Sequence, residues 1–162
     1  MDSTGYPTPR ATSASARIFV PQGPLSWPWE KHTIVMADPQ ARAQKLRAWC
    51  RAQPAPAILV GSSMGGYVAL AAASDVGAAG LFLLAPALYV PGYETIPVPP
   101  APTCRITIIH GWQDEVLPWS GSARYGELSG ARVILVPDGH RLVADLGGLC
   151  NMFRLFLDEL GA

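Results

Sequence analysis

From residue 17 onward the chain alternates short apolar runs with segments of helical or turn-forming character. Six runs stand out, at residues 17–20, 33–36, 57–60, 81–84, 105–109 and 132–136. Strands buried on both faces of a parallel sheet read as such short, nearly continuous apolar stretches. Between them, residues 39–53 set a proline directly after Asp38 and repeat Ala43, Leu46 and Cys50 at helical spacing, which predicts an amphipathic helix. Residues 64–75 are nearly all apolar and rich in alanine, so a helix there packs deep against the sheet. Residues 142–160 carry Leu146, Leu149, Phe153, Phe156 and Leu160 on one face and predict a terminal helix that closes the sheet. Strands alternating with helices imply an α/β fold, a mostly parallel sheet of about six strands flanked by helices.

Two segments depart from this alternation. Residues 21–32 contain three prolines and two tryptophans. They are barely long enough for a parallel crossover, which takes about a dozen residues or more. The first edge of the sheet is therefore expected to be shortened. Residues 90–103 are proline-rich and predict an extended surface loop.

Composition narrows the picture. A chain of 162 residues with 49% hydrophobic content supports one buried core, placed at residues 17–162 as a single domain. Residues 1–16 are rich in Ser, Thr, Pro and Ala, lack a signal-peptide core, and read as a disordered tail on a cytoplasmic protein. Lys and Arg number 12, as do Asp and Glu. With no net field and no basic run, nucleic acid is not an expected partner. No stretch approaches the roughly 18 apolar residues of a membrane span. Cys50, Cys104 and Cys150 are widely spaced with no CxxC pair, so they read as reduced, buried thiols, not as a disulfide framework or zinc site, and no cofactor is expected.

One cluster needs more than folding to explain it. Residues 58–70 read ILVGSSMGGYVAL, and Gly61 to Gly65 match GxSxG between a predicted strand and a predicted helix. A sharp strand-to-helix turn lifts the central Ser63 above the sheet and leaves space for little but glycine around it. The N–H of Met64, at the helix start, then faces the place where negative charge develops during attack on a carbonyl. The plain alternative is a glycine-rich turn with Ser63 as helix N-cap. A serine nucleophile requires a base and an acid to orient it. Of three histidines, His140 in VPDGHRL lies on a glycine turn just past the last strand and is the candidate base. His110 reads as a turn residue at a strand end, and His32 precedes a strand in the irregular connection. Asp114, in HGWQDEVLP, falls on a loop at the same sheet edge and is preferred as the acid over its neighbour Glu115 and over Asp138, which is too close to His140 in sequence.

Through GSSMGG at 61–66, HGWQDEVLP at 110–118 and DGH at 138–140, in the order Ser, Asp, His, the sequence resembles the α/β hydrolase superfamily, in particular its small, capless bacterial esterase-like members. The resemblance implies a serine hydrolase acting on a carboxylic ester or thioester through an acyl-enzyme, with Ser63, His140 and Asp114 as its triad. It covers residues 38–157 and weakens before them. Family members usually open with a strand ending in a His-Gly pair whose loop supplies a second oxyanion N–H. Here Pro21 stands in the histidine's place and has no N–H. By position Gln22 would be the donor, with Gly23 as a fallback. Only about twenty residues separate the strand ending at Leu84 from the next, so no large lid is expected. Trp112, Trp27, Trp29, Leu88 and Tyr89 are candidate walls for a small acyl or aryl group. The altered opening segment also fits a different class, a hydrolase-like domain that binds a small molecule or a protein without catalysis.

Overall fold

The computed structural model describes residues 38–162 and the backbone of residues 18–19. Among the described residues its centre is a five-stranded sheet, all parallel and in chain order: β1 (Ile18–Phe19), β2 (Ile58–Ser62), β3 (Gly80–Leu84), β4 (Arg105–Gly111) and β5 (Arg132–Val136). Helices α1 (Pro39–Arg51), α2 (Met64–Val76), α3 (Trp119–Ser129) and α4 (Leu146–Leu160) complete the α/β fold. The strand expected at 33–36 and the tail expected at 1–16 lie outside the described residues.

Period-two alternation sorts the strand side chains between two cores. Leu59, Leu81, Leu83, Ile106 and Ile108 face one cluster, with Ala43 and Leu46 of α1, Tyr67 and Leu70 of α2 and Tyr125 of α3. Ile58, Phe82 and Ile109 face the other, where α4 lays Phe156 and its half-buried neighbours Phe153 and Leu160. Phe82 meets Phe153 edge-on at 5.0 Å between ring centroids. Helix α1 begins as its sequence predicts, with Pro39 at its first turn and Asp38 accepting the N–H groups of Gln40 and Ala41 at 3.1 and 3.0 Å. Arg47 then ties α1 to α2 through Asp75 at 2.6 Å and the Ala71 carbonyl at 2.7 Å.

Two expectations need correction. Helix α4 begins at Leu146, not at residue 142, because Asp145 caps it by accepting the Gly148 N–H at 2.8 Å. Leu142 is buried with φ of 52° as part of the preceding loop. Cys50 is buried and Cys104 half-buried, but Cys150 is exposed on α4. The proline-rich stretch 90–103 is irregular and mostly exposed, pinned to α2 where the Tyr67 hydroxyl donates to the Pro97 carbonyl at 2.9 Å. Among the described residues no helix is long and apolar enough to cross a membrane.

Candidate active site

The carboxyl ends of parallel strands share one side of a sheet, and in this fold three loops meet there. Ser63 follows β2 directly, Asp114 lies three residues past β4, and His140 lies four past β5. At Ser63 the backbone turns sharply, with φ 54° and ψ −122°. Such a conformation costs a non-glycine residue of order 1–3 kcal/mol, and neighbouring hydrogen bonds hold it in place. The Ser63 N–H donates to Leu84 O at 2.9 Å, and its carbonyl accepts from Gly66 and Ala87, both at 3.0 Å. The turn is possible because a Cβ at Gly61 would run into the backbone of Gly65, and one at Gly66 would meet Pro86 at 2.8 Å.

Ser63 occupies the N-cap position of α2, yet its side chain makes no capping hydrogen bond. Its hydroxyl instead lies 3.1 Å from Nε2 of His140. Nδ1 of the same ring lies 2.7 Å from Oδ2 of Asp114. Facing a carboxylate, Nδ1 carries the proton, which leaves Nε2 bare to accept the serine hydrogen. The first N–H groups of a helix have no intrahelical acceptor, and the Met64 N–H is the one immediately after the turn.

The Asp114 side chain is fully buried and nearly fully hydrogen-bonded. Oδ1 accepts the N–H groups of Val116 and Leu117, both at 2.8 Å. Burial by itself would raise its pKa, but the Leu117 N–H, the His140 side chain and the Val116 N–H more than offset this, and the carboxyl stays below its ordinary value. Glu115 is exposed. Asp138 serves its own loop, with Oδ1 on the Gly139 N–H and Oδ2 on the Ala144 N–H, both at 2.7 Å. The Asp138 carbonyl also accepts from Gln113 N at 3.1 Å, joining the loop of His140 to that of Asp114. Gly111 allows this approach, since a Cβ there would collide with the Asp138 carbonyl.

One further expectation needs correction: His110 is not a turn residue but lies within β4, and it completes the arrangement. His110 is wholly buried at the end of β4, with Nε2 3.1 Å from Asp114 Oδ2 and 3.1 Å from the Leu117 carbonyl. Its Nδ1 lies 2.8 Å from the hydroxyl of Ser122, itself fully buried on α3. The signal available was HG followed by Asp at the fourth position, which reads equally as a turn.

Of the expected wall residues, Trp112 is half exposed two residues before Asp114. Tyr89 is half-buried with φ of 51°, and the Arg124 guanidinium lies 4.3 Å over its ring. Leu88 must be corrected: it is 2% exposed and packed into the core, so its side chain is closed to a ligand. Gln22, Gly23, Trp27, Trp29 and His32 lie outside the described residues. No group of three or more His, Cys, Asp or Glu among the described residues is placed to hold a metal ion. A cavity of about 250 Å³ opens at the opposite sheet edge, lined in part by Cys104, Arg105, Ser129 and Arg132. Its two arginines already share Glu159, at 3.2 and 2.7 Å, and it contains none of the groups described above.

Known proteins agree with this architecture. An alpha/beta-superfamily protein from Xanthomonas campestris pv. campestris is 32% identical, with 75% of this chain and 69% of that one covered and a TM-score of 0.67. Alpha/beta hydrolase domain-containing protein 10 from mouse is 25% identical, over 74% of this chain and 68% of that one, with a TM-score of 0.61. A serine hydrolase without a lid from Xanthomonas campestris shares the fold at 24% identity and a TM-score of 0.54, over 72% of this chain and 54% of that one. Among curated proteins none matches. The profile described as the Alpha/beta hydrolase family matches residues 2–158, and the chain belongs to that family.

Proposed function

We propose that the protein is a serine hydrolase that cleaves a carboxylic ester or thioester of a small acyl or aryl substrate through an acyl-enzyme. The observation that carries this reading is the choice made by the Ser63 hydroxyl. At a helix start a serine gains about 1 kcal/mol by capping a backbone N–H. Ser63 leaves the cap unmade and turns its hydroxyl to His140 Nε2, with Asp114 behind the ring.

In the reaction Ser63 Oγ attacks the carbonyl carbon while its proton passes to His140 Nε2. The electron pair of the carbonyl moves onto oxygen, where the Met64 N–H and the α2 dipole stabilise it. Collapse expels the alcohol or thiol, which takes the proton from His140, and the acyl group remains on Ser63. Water, deprotonated by the same nitrogen, attacks the acyl-enzyme; collapse breaks the bond to Ser63 Oγ, which takes the proton back from His140 as the acid is released. Asp114 keeps Nδ1 protonated and stabilises the imidazolium formed in each half. A second oxyanion donor falls to Gln22 or Gly23. The short connection after Leu84 contains no helix, which leaves the site open, and Trp112 and Tyr89 as walls favour a modest acyl or aryl group.

The test compares wild type with S63A in fluorophosphonate labelling and in turnover of p-nitrophenyl acetate and butyrate. Labelling should disappear in S63A, and turnover should fall roughly 10³-fold or more. Equal labelling of both proteins, or no labelling of either, rules out Ser63 as the nucleophile.

A further inference from the structure

Asp114 is shared between two imidazoles, and only one of them reaches Ser63. From the half-buried rim to the interior runs an unbroken chain: Ser63 Oγ, 3.1 Å to His140 Nε2; His140 Nδ1, 2.7 Å to Asp114 Oδ2; Asp114 Oδ2, 3.1 Å to His110 Nε2; His110 Nδ1, 2.8 Å to Ser122 Oγ. We propose that His110 is a positioning residue, whose Nε2–H holds the Asp114 carboxylate in the plane that presents Oδ2 to His140. The proposal rests on the serine-hydrolase reading for its kinetic consequence, while its geometric content stands apart from it.

The tautomer follows from the partners. Nε2 of His110 faces only acceptors, the Leu117 carbonyl and Asp114 Oδ2, so it must bear the hydrogen. Nδ1 is then bare and accepts the hydrogen of Ser122. Burial holds the ring neutral against the pull of the Leu117 carbonyl and the Asp114 charge. The same turn is fixed twice, because Leu117 donates its N–H to Asp114 Oδ1 and offers its carbonyl to His110. Two backbone N–H groups thus anchor Oδ1, and rotation about that anchor is limited by the two rings that flank Oδ2. A histidine that merely tied down a turn would need the Leu117 carbonyl alone. Ser122 is no second nucleophile, since it is completely buried. It belongs to α3, where a Cβ on the adjacent Gly121 would collide with the Leu88 carbonyl, so the helix is seated closely enough to fix the ring.

The experiment uses the two amides that imitate opposite ends of the ring. In H110Q the amide nitrogen reaches the position of Nε2 and keeps a donor toward Asp114; in H110N the shorter side chain stays near Ser122. With p-nitrophenyl butyrate, H110N should lower kcat roughly 10- to 100-fold with KM within about twofold, while H110Q stays within about fivefold of wild type. Equal kcat in folded H110N and wild type, or equal losses in H110N and H110Q, overturns the proposal. Nitrogen-15 NMR of the wild-type protein supplies a readout free of both turnover and mutant folding. A neutral Nε2–H tautomer at His110 is expected. An Nδ1–H tautomer overturns the proposal, since Nε2 then has nothing to donate. If wild-type turnover proves independent of Ser63, the hydrolase reading fails alone, and the tautomer together with the His140 Nδ1–H resonance in H110Q and H110N decides the role of His110.

Discussion

A carboxylate that accepts four hydrogen bonds has no room for an amide. In D114N one position must become an NH2, which confronts either two backbone N–H groups at Oδ1 or two imidazole N–H groups at Oδ2. The variant should therefore lose kcat by about 10⁴-fold, the scale seen when the same change misorients the histidine of serine proteases. It should also melt at lower temperature, which a purely catalytic defect would not produce; steady-state kinetics and a thermal melt check the two halves. Ser63 yields a second prediction from its own backbone. At φ 54° and ψ −122° a side chain is strained, whereas glycine adopts the conformation freely. Both S63G and S63A should be inactive, but S63G should be the more stable by about 1 kcal/mol despite the greater freedom of glycine in the unfolded chain. Urea denaturation of the two variants measures this, and S63A equal to or above S63G would mean that the elbow is unstrained.

Helix α4 closes one face of the sheet, and its first residue depends on a cap. Truncating Asp145 in D145A should cost about 1 kcal/mol of stability while leaving the interior of the helix intact; a helix that began at residue 142 would not register the change. Urea midpoints compare the two cases. The later start was hidden in the sequence because Leu142 continues the apolar spacing of α4, yet it is buried in the loop that carries His140. Strands β2, β3 and β4 and helix α2 were legible because burial on all sides leaves uninterrupted apolar runs. Helix α3 was not, since its buried face consists of Gly121, Ser122 and Tyr125. A helix that packs through glycine shows no leucine repeat to read. The same limit applied to His110: a histidine at a strand end shows its sequence neighbours, but not the serine twelve positions away on a different element. Ser63, Asp114 and His140 could be nominated because each follows a strand end, and parallel strands bring those ends to one edge.

At the scale of the molecule, the buried ionisable groups around the site couple folding to pH. His110 has its pKa lowered from an ordinary 6.5, first by burial. As pH falls below 6.5 the unfolded chain binds a proton that the folded chain refuses, so the folded state loses stability until the folded pKa is reached. Asp114 acts in the same direction lower on the scale. Its carboxyl lies below the ordinary 3.8, so the stability it contributes is complete above that value and disappears as pH falls through the folded pKa. Stability should thus decline in two stages on acidification, the first beginning near neutrality and the second below about pH 4. Replacing His110 by glutamine removes the first titration and leaves the second. Urea midpoints measured at about pH 7, 6 and 5 should fall less in H110Q than in wild type, whatever the absolute stability of the variant. The other histidines are common to both proteins, so the difference of slopes reports His110 together with its coulombic coupling to His140. A fall as steep in H110Q as in wild type would show that His110 takes up its proton in the folded state. The buried chain from Ser63 to Ser122 would then end in an imidazolium, and Ser122 would have to accept rather than donate.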